Sequence, residues 1–126
     1  MRFLLDTVAL IFAVKAPERL GRQAASVFAN PHEILILSAV SVSEIAIKAA
    51  RGKFDFSFLD LRTAMEDLHL QTLPYTMDHA FRLFDLPPRH TDPFDRQLIA
   101  QALSEGIPIM SCDQEFRLYE ELQIVW

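Results

Sequence analysis

The sequence predicts an α/β fold around a mainly parallel central sheet, and three observations carry that expectation. Short aliphatic runs, too brief for helices, alternate with segments of helical periodicity. The alternation continues from end to end, with no internal repeat, low-complexity stretch or linker. Apolar residues make up 51% of the 126 and charged residues 23%. That is enough for a packed core in a single domain spanning 1–126.

Taken in order, Arg2–Leu5 reads as the first strand and Thr7–Val14 as the helix after it. Gln23–Ala29 belongs to a second helix, stopped by Asn30-Pro31 because proline cannot continue a helix. Ile34–Leu37 is a β-branched and aliphatic run, hence a buried strand. Ser41–Arg51 is a helix with Gly52 just beyond it, where a left-handed residue closes the last turn. Phe58–Leu68 and Met77–Phe84 are helices with a weak strand, Gln71–Leu73, between them. Pro87-Pro88 breaks the chain before the helix Phe94–Glu105, which Gly106 ends. Ile107–Cys112 and Gln123–Trp126 complete the strands.

Composition removes several function classes. The net charge of −5 has the wrong sign for a general nucleic-acid-binding surface. The charge is uneven: residues 1–53 carry seven basic and four acidic side chains, residues 54–126 five and thirteen. An excess of carboxylates is one way for a protein to await a cation. The longest apolar run, Val8–Val14, is far shorter than the roughly 18 residues that cross a bilayer. Asp6 interrupts the start too early for a signal peptide, so the cytoplasm is the expected compartment. A single cysteine, Cys112, excludes an intrachain disulfide and a Cys-based zinc cage. Placed in a strand, it is expected to be an inert core thiol.

In right-handed βαβ units, strand C-termini and helix N-termini share one edge of the sheet, where ligands bind. Four acids fall at that edge. Asp6 follows the first strand, Asp113 follows Ile107–Cys112, and Glu44 and Asp95 lie in first helical turns. Carboxylates gathered this way repel unless one is protonated or a hard cation such as Mg²⁺ or Mn²⁺ joins them. Each acid also has a local reading. Ser41-x-x-Glu44 fits a capping box, Glu44 and Lys48 form an i,i+4 pair, and Asp92-Pro93 reads as a helix N-cap and N1. Asp6 and Asp113 are placed to cap the helices after them. Asp95 sits in the middle of the stripe formed by Leu98, Ile99 and Ala102, whereas Glu44 falls beside Lys48 and Arg51, away from the apolar face.

The blocks Leu4-Leu5-Asp6-Thr7, Ser41-x-Ser43-Glu44-Ile45-Ala46-Ile47-Lys48, His90-x-Asp92-Pro93-Phe94-Asp95-Arg96 and Ser111-x-Asp113 resemble the signature of PIN-domain ribonucleases, and among them VapC-type toxins. Ser111 stands where relatives often carry Thr, and Val8–Val14 lacks a Trp many of them have there. The resemblance implies a PIN-like three-layer α/β sandwich and an endoribonuclease dependent on Mg²⁺ or Mn²⁺. It implies products with 5′-phosphate and 3′-hydroxyl ends, a VapB-type antitoxin partner and a homodimer. It assigns the acidic quartet to Asp6, Glu44, Asp95 and Asp113, which would hold one or two ions and activate water on an RNA phosphodiester. Thr7 and Ser111 become candidates to orient carboxylates or water. Asp92 matches an additional acid of one subgroup, with the N-cap as its expected role.

Lys48, Arg51, Lys53 and Arg89 are plausible phosphate contacts but read individually as solvated charges. His90 could stack or bind phosphate but reads first as an exposed loop histidine, and His32, His69 and His79 lack metal-ligand spacing. Three rival functions keep the acids in different roles. A haloacid-dehalogenase-like phosphatase would want a second Asp where Val8 stands. A receiver domain would want a Lys after a late strand, where Gln114 follows Asp113. In a non-catalytic binding module the acids would be only helix caps.

Overall fold

The computed structural model describes residues 1–126. Its strands are β1 (Arg2–Leu5), β2 (Ile34–Ser38), β3 (Gln71–Leu73), β4 (Ile109–Met110) and β5 (Ile124–Val125). They form one sheet in the order β3-β2-β1-β4-β5, with every neighbouring pair parallel. The helices are α1 (Thr7–Lys15), α2 (Arg22–Ala29), α3 (Ala39–Ala50), α4 (Phe58–Asp67), α5 (Met77–Asp85) and α6 (Pro93–Glu105). Short 3-10 turns cover Pro17–Arg19 and Gln114–Leu118.

Successive strand residues face opposite sides of a sheet, so these strands feed two cores. Leu4, Ile36, Leu73 and Ile109 point to one side, where Leu98, Ile99 and Ala102 of α6 and Phe116 meet them. Leu5, Leu35, Leu37 and Met110 point to the other, against Ala9 and Leu10 of α1, Ala24 of α2 and Leu61 and Ala64 of α4. Helix α3 serves both, through Val40 on one side and Ile45 on the other. This is the expected three-layer α/β sandwich.

Local capping sets most helix boundaries. Ser57 and Asp60 exchange side-chain and backbone bonds at the start of α4, and Asp92 Oδ1 accepts the Asp95 N–H at the start of α6. Gly106 closes α6 at φ 65°, a conformation a Cβ disfavours. Helix α3 departs from expectation. Its N-cap is Ser38, whose Oγ accepts the Val40 N–H, so the helix begins before Ser41. Ser41 and Glu44 therefore lie inside the helix, and the capping box expected of them does not form.

The strand expected over Ile107–Cys112 is also shorter, pairing only over Ile109–Met110. Cys112 lies past its end and is exposed, which corrects its reading as a core thiol. Ser111 takes the inward position at that bend and is buried.

Gly21 is needed for close approach. A Cβ there would lie 2.4 Å from the Trp126 carbonyl oxygen, which accepts the Ala24 N–H at 2.7 Å. Gly21→Ala must push this backbone aside and is expected to cost about 1–3 kcal/mol. A lowered urea midpoint with an unchanged slope would report it.

The strand order has one functional consequence. From β1 the chain moves outward to β2 on one side, and β4 lies on the other. A crevice opens at such a reversal, beyond the strand C-termini. Asp6 follows β1 there, and Ser111 and Asp113 follow β4.

Candidate active site

Asp6 is the N-cap of α1, its Oδ1 accepting the Ala9 N–H at 2.7 Å. It is also buried, with the Ser111 hydroxyl nearby. Burial pushes its pKa from 3.8 up to about 6. The Ser111 hydroxyl and the Ala9 hydrogen bond oppose that rise, and the charges of Glu44 and Asp113 add to it.

Glu44 is 3% exposed. The sequence placed it on the polar side of its helix, but α6 packs against α3 and covers that side. Its Oε2 accepts from the Lys48 ammonium, which also lies 3.9 Å from Asp92 and near the rings of Phe54 and Phe94. Burial works to lower the Lys48 pKa, but the Glu44 hydrogen bond and charge outweigh it and raise it. Glu44 Oε1 is buried with no hydrogen-bond partner. A buried anionic oxygen left alone is costly, which makes this atom the strongest local sign of a missing cation.

Asp95 lies in the first turn of α6. Burial pushes its pKa from 3.8 up to about 7; the charges of Asp92, Glu44 and Asp6 add to the rise and His90 opposes it. Asp113 caps the second 3-10 turn through Oδ1, which accepts the Glu115 N–H at 2.9 Å, while its Oδ2 lies 3.0 Å from His90 Nε2.

Asp6 thus feels Glu44 and Asp113, and Asp95 feels Glu44 and Asp6. The structure brings all four expected acids into one electrostatic cluster, and the capping roles of Asp6 and Asp113 coexist with it. Ser111 lies near Asp6 and braces the cluster by accepting the Asp113 N–H at 3.1 Å. Thr7 is buried but bonds Ser41 Oγ at 3.0 Å rather than a carboxylate. Asp92 takes its expected N-cap role. Arg51, Lys53 and Arg89 are exposed, as their solvated reading requires.

His90 is the residue that sequence reasoning misplaced. It is 5% exposed, with Nε2 beside Asp95 and Asp113 and Nδ1 beside Asp92 and Glu115. The available signal was its place two residues before the Asp92 N-cap, which folds it back over the start of α6. His90, Asp113 and Glu115 also present ligand atoms within 4.8 Å of one another. Asp113 and the Glu115 backbone already share a hydrogen bond there, and the His90 ring is committed to Asp113 and the Asp92 N–H. The orphan oxygen lies instead on Glu44.

The raised carboxyl pKa values have a stability consequence. Folded Asp6 and Asp95 hold protons that the unfolded chain releases near pH 4. Their contribution to stability is therefore full below about pH 4 and is lost as pH rises through about 6 to 7. In EDTA, the wild type is expected to lose more urea resistance between pH 5 and pH 8 than a variant carrying Asp6→Asn and Asp95→Asn. Mn²⁺ added at pH 8 is expected to restore wild-type stability. Identical pH profiles for the two proteins would contradict this account.

Comparison with known proteins gives a match to the PIN domain family model over residues 3–122. Among solved structures, the chain is similar to VapBC2 from Rickettsia felis bound to a DNA fragment from its promoter. The TM-score is 0.71 at 12% identity, covering 98% of this chain and 97% of that one. It is similar to DNA-bound VapBC from Salmonella typhimurium, with a TM-score of 0.70 at 19% identity and coverage of 98% and 96%. VapBC-1 from nontypeable Haemophilus influenzae gives 0.66 at 18% identity, again with 98% and 96% covered. No curated protein matches the chain by sequence.

Proposed function

The chain belongs to the PIN-domain family, and on that premise we propose that it is an endoribonuclease dependent on Mg²⁺ or Mn²⁺. The reading extends to the toxin of a VapBC-type pair, with a VapB-type antitoxin as partner. That pairing is supported by similarity to proteins solved as VapBC. A homodimer, a cytoplasmic location and residues 1–126 acting as one domain belong to the same proposal.

The observation that carries it is the unpartnered Glu44 Oε1, on a side chain whose charge helps raise the pKa values of Asp6 and Asp95. An all-oxygen donor set with surplus negative charge fits a hard divalent cation. Asp6, Glu44, Asp95 and Asp113 would hold it. When bound, the ion would lower the pKa of a water and neutralise charge on the phosphodiester under attack.

The protein's own groups do the positioning. Lys48 occupies Glu44 Oε2 and leaves Oε1 as the free acceptor. The Ala9 N–H fixes the Asp6 carboxyl, and Asp92 fixes the start of α6 beneath Asp95. Lys48 places a cationic side chain among these acids.

The test is cleavage of single-stranded RNA by purified protein with Mn²⁺, with EDTA, and with Mn²⁺ restored. Cleavage that stops in EDTA, returns with Mn²⁺ and leaves 5′-phosphate and 3′-hydroxyl ends is the expected result. Undiminished cleavage in EDTA, or hydrolysis of phosphomonoesters without RNA cleavage, would overturn it.

A further inference from the structure

We propose that His90 is a positioning residue that ties Asp113 to the start of α6, with Nε2 bonded to Asp113 and Nδ1 to the Asp92 N–H, so that the acid cluster stands assembled before a cation arrives. The inference rests on the proposed reading of these acids as cation ligands.

His90 Nε2 lies 3.0 Å from Asp113 Oδ2 and 3.2 Å from Asp95 Oδ2. A neutral imidazole has one N–H, and the partner of one nitrogen decides which nitrogen carries it. The Asp92 backbone N–H donates to Nδ1 at 3.1 Å, so Nδ1 offers its lone pair. The hydrogen therefore belongs to Nε2, where it bonds Asp113 Oδ2, with Asp95 Oδ2 alongside. Glu115 Oε2 also lies 3.1 Å from Nδ1, but Nδ1 cannot accept from Asp92 and donate to Glu115 at once. The amide is fixed by the helix start, whereas the exposed Glu115 side chain is free to turn to water.

The ring is held from every side. The His90 N–H donates to Tyr119 Oη at 3.0 Å. That oxygen also takes the Arg89 N–H and an Arg96 guanidinium N–H, and donates to the Pro87 carbonyl at 2.8 Å. The edge of Phe116 packs against the imidazole at 5.5 Å between centroids. A side chain so constrained cannot rotate without losing Asp92, so its N–H direction is fixed in advance.

The clamp joins parts the sheet alone does not join. Asp113 comes from the segment after β4, and Asp95 from the start of α6. His90 bridges them from behind, bonding Asp113 through one nitrogen and the first residue before α6 through the other. With its Nδ1 lone pair on Asp92 and its Nε2 bearing hydrogen, it offers no lone pair to a metal.

Three substitutions separate the roles of the two nitrogens. His90→Gln can place an amide N–H near the Nε2 position, His90→Asn reaches only the Nδ1 side, and His90→Leu supplies neither. Mn²⁺ affinity is measured by calorimetry, with thermal melting to confirm folding. The expected result is affinity within about threefold of wild type for Gln and about 10–100-fold weaker for Asn and Leu. Equal affinity across all four proteins, or Gln as weak as Leu, overturns the clamp.

A second measurement uses the wild-type protein in EDTA, with ¹⁵N-labelled histidine. Long-range ¹H–¹⁵N spectra are expected to show His90 protonated at Nε2 and bare at Nδ1, and a proton on Nδ1 overturns the proposal even if the variants fail to fold. A wild type that carries the expected tautomer yet binds no Mn²⁺ overturns instead the cation-site reading, and with it the purpose assigned to the clamp.

Discussion

Asp6→Asn is expected to abolish RNA cleavage while raising the melting temperature of the cation-free protein. Asparagine keeps an oxygen to accept the Ala9 N–H, so the start of α1 survives. It removes a carboxylate whose pKa has been pushed from 3.8 to about 6, chiefly by burial. At pH 7 the folded protein holds that carboxylate charged at a cost on the order of 3 kcal/mol relative to the unfolded chain. The substitution releases that cost and loses an anionic oxygen from the proposed cation site. Cleavage should fall by at least about 100-fold, as expected when a group stabilising charge in the transition state is removed. Cleavage rates with Mn²⁺ and a melting scan in EDTA check both halves. A variant that cuts RNA at the parent rate would remove Asp6 from the site, and a variant that melts lower would show that the burial account is wrong.

The second large effect is expected at the Glu44–Lys48 pair. Lys48→Met leaves a 3% exposed carboxylate with neither oxygen bonded. Breaking a fully buried ion pair costs about 3–5 kcal/mol. The Lys48 side chain is 25% exposed and water reaches the gap, so about 2 kcal/mol is the expected loss. Glu44→Gln removes the charge at its source and should fold well, but should bind Mn²⁺ more than about tenfold more weakly. The double variant should recover most of the stability lost in Lys48→Met. Urea unfolding of all four proteins closes the cycle. Strict additivity would show that the two side chains do not act as a unit.

The contrast between Asp6 and Glu44 shows how much of the site was legible in the sequence. Asp6 and Asp113 were readable because position alone makes the argument. An acid that ends a strand in a parallel sheet must reach the ligand-binding edge whatever surrounds it. Asp95 was readable because an acid inside an apolar stripe is locally anomalous. Glu44 has no such mark. Its neighbours on its own helix are charged, and a helical wheel places it in water. Helix α6, formed about fifty residues later in the chain, buries it. The capping box expected of Ser41 and Glu44 failed for a related reason. Ser38, placed by the end of β2, caps the helix first.

His90 and Cys112 extend the same lesson in opposite directions. A histidine in a Pro-rich connection looked exposed, but Tyr119 draws its backbone inward from across the sheet edge. A cysteine after an aliphatic strand looked buried, but the strand stops two residues before it, and Ser111 turns inward instead.

By itself the sequence determined the alternation of strands and helices, the residues that end them and the edge where four acids emerge, because periodicity, capping and proline act within a few residues. Only the tertiary structure decided which carboxylate oxygen lacks a partner, which acids share a histidine and which charges lie buried. Those properties depend on dielectric and hydrogen-bond supply from segments distant in the chain, and no local window contains them.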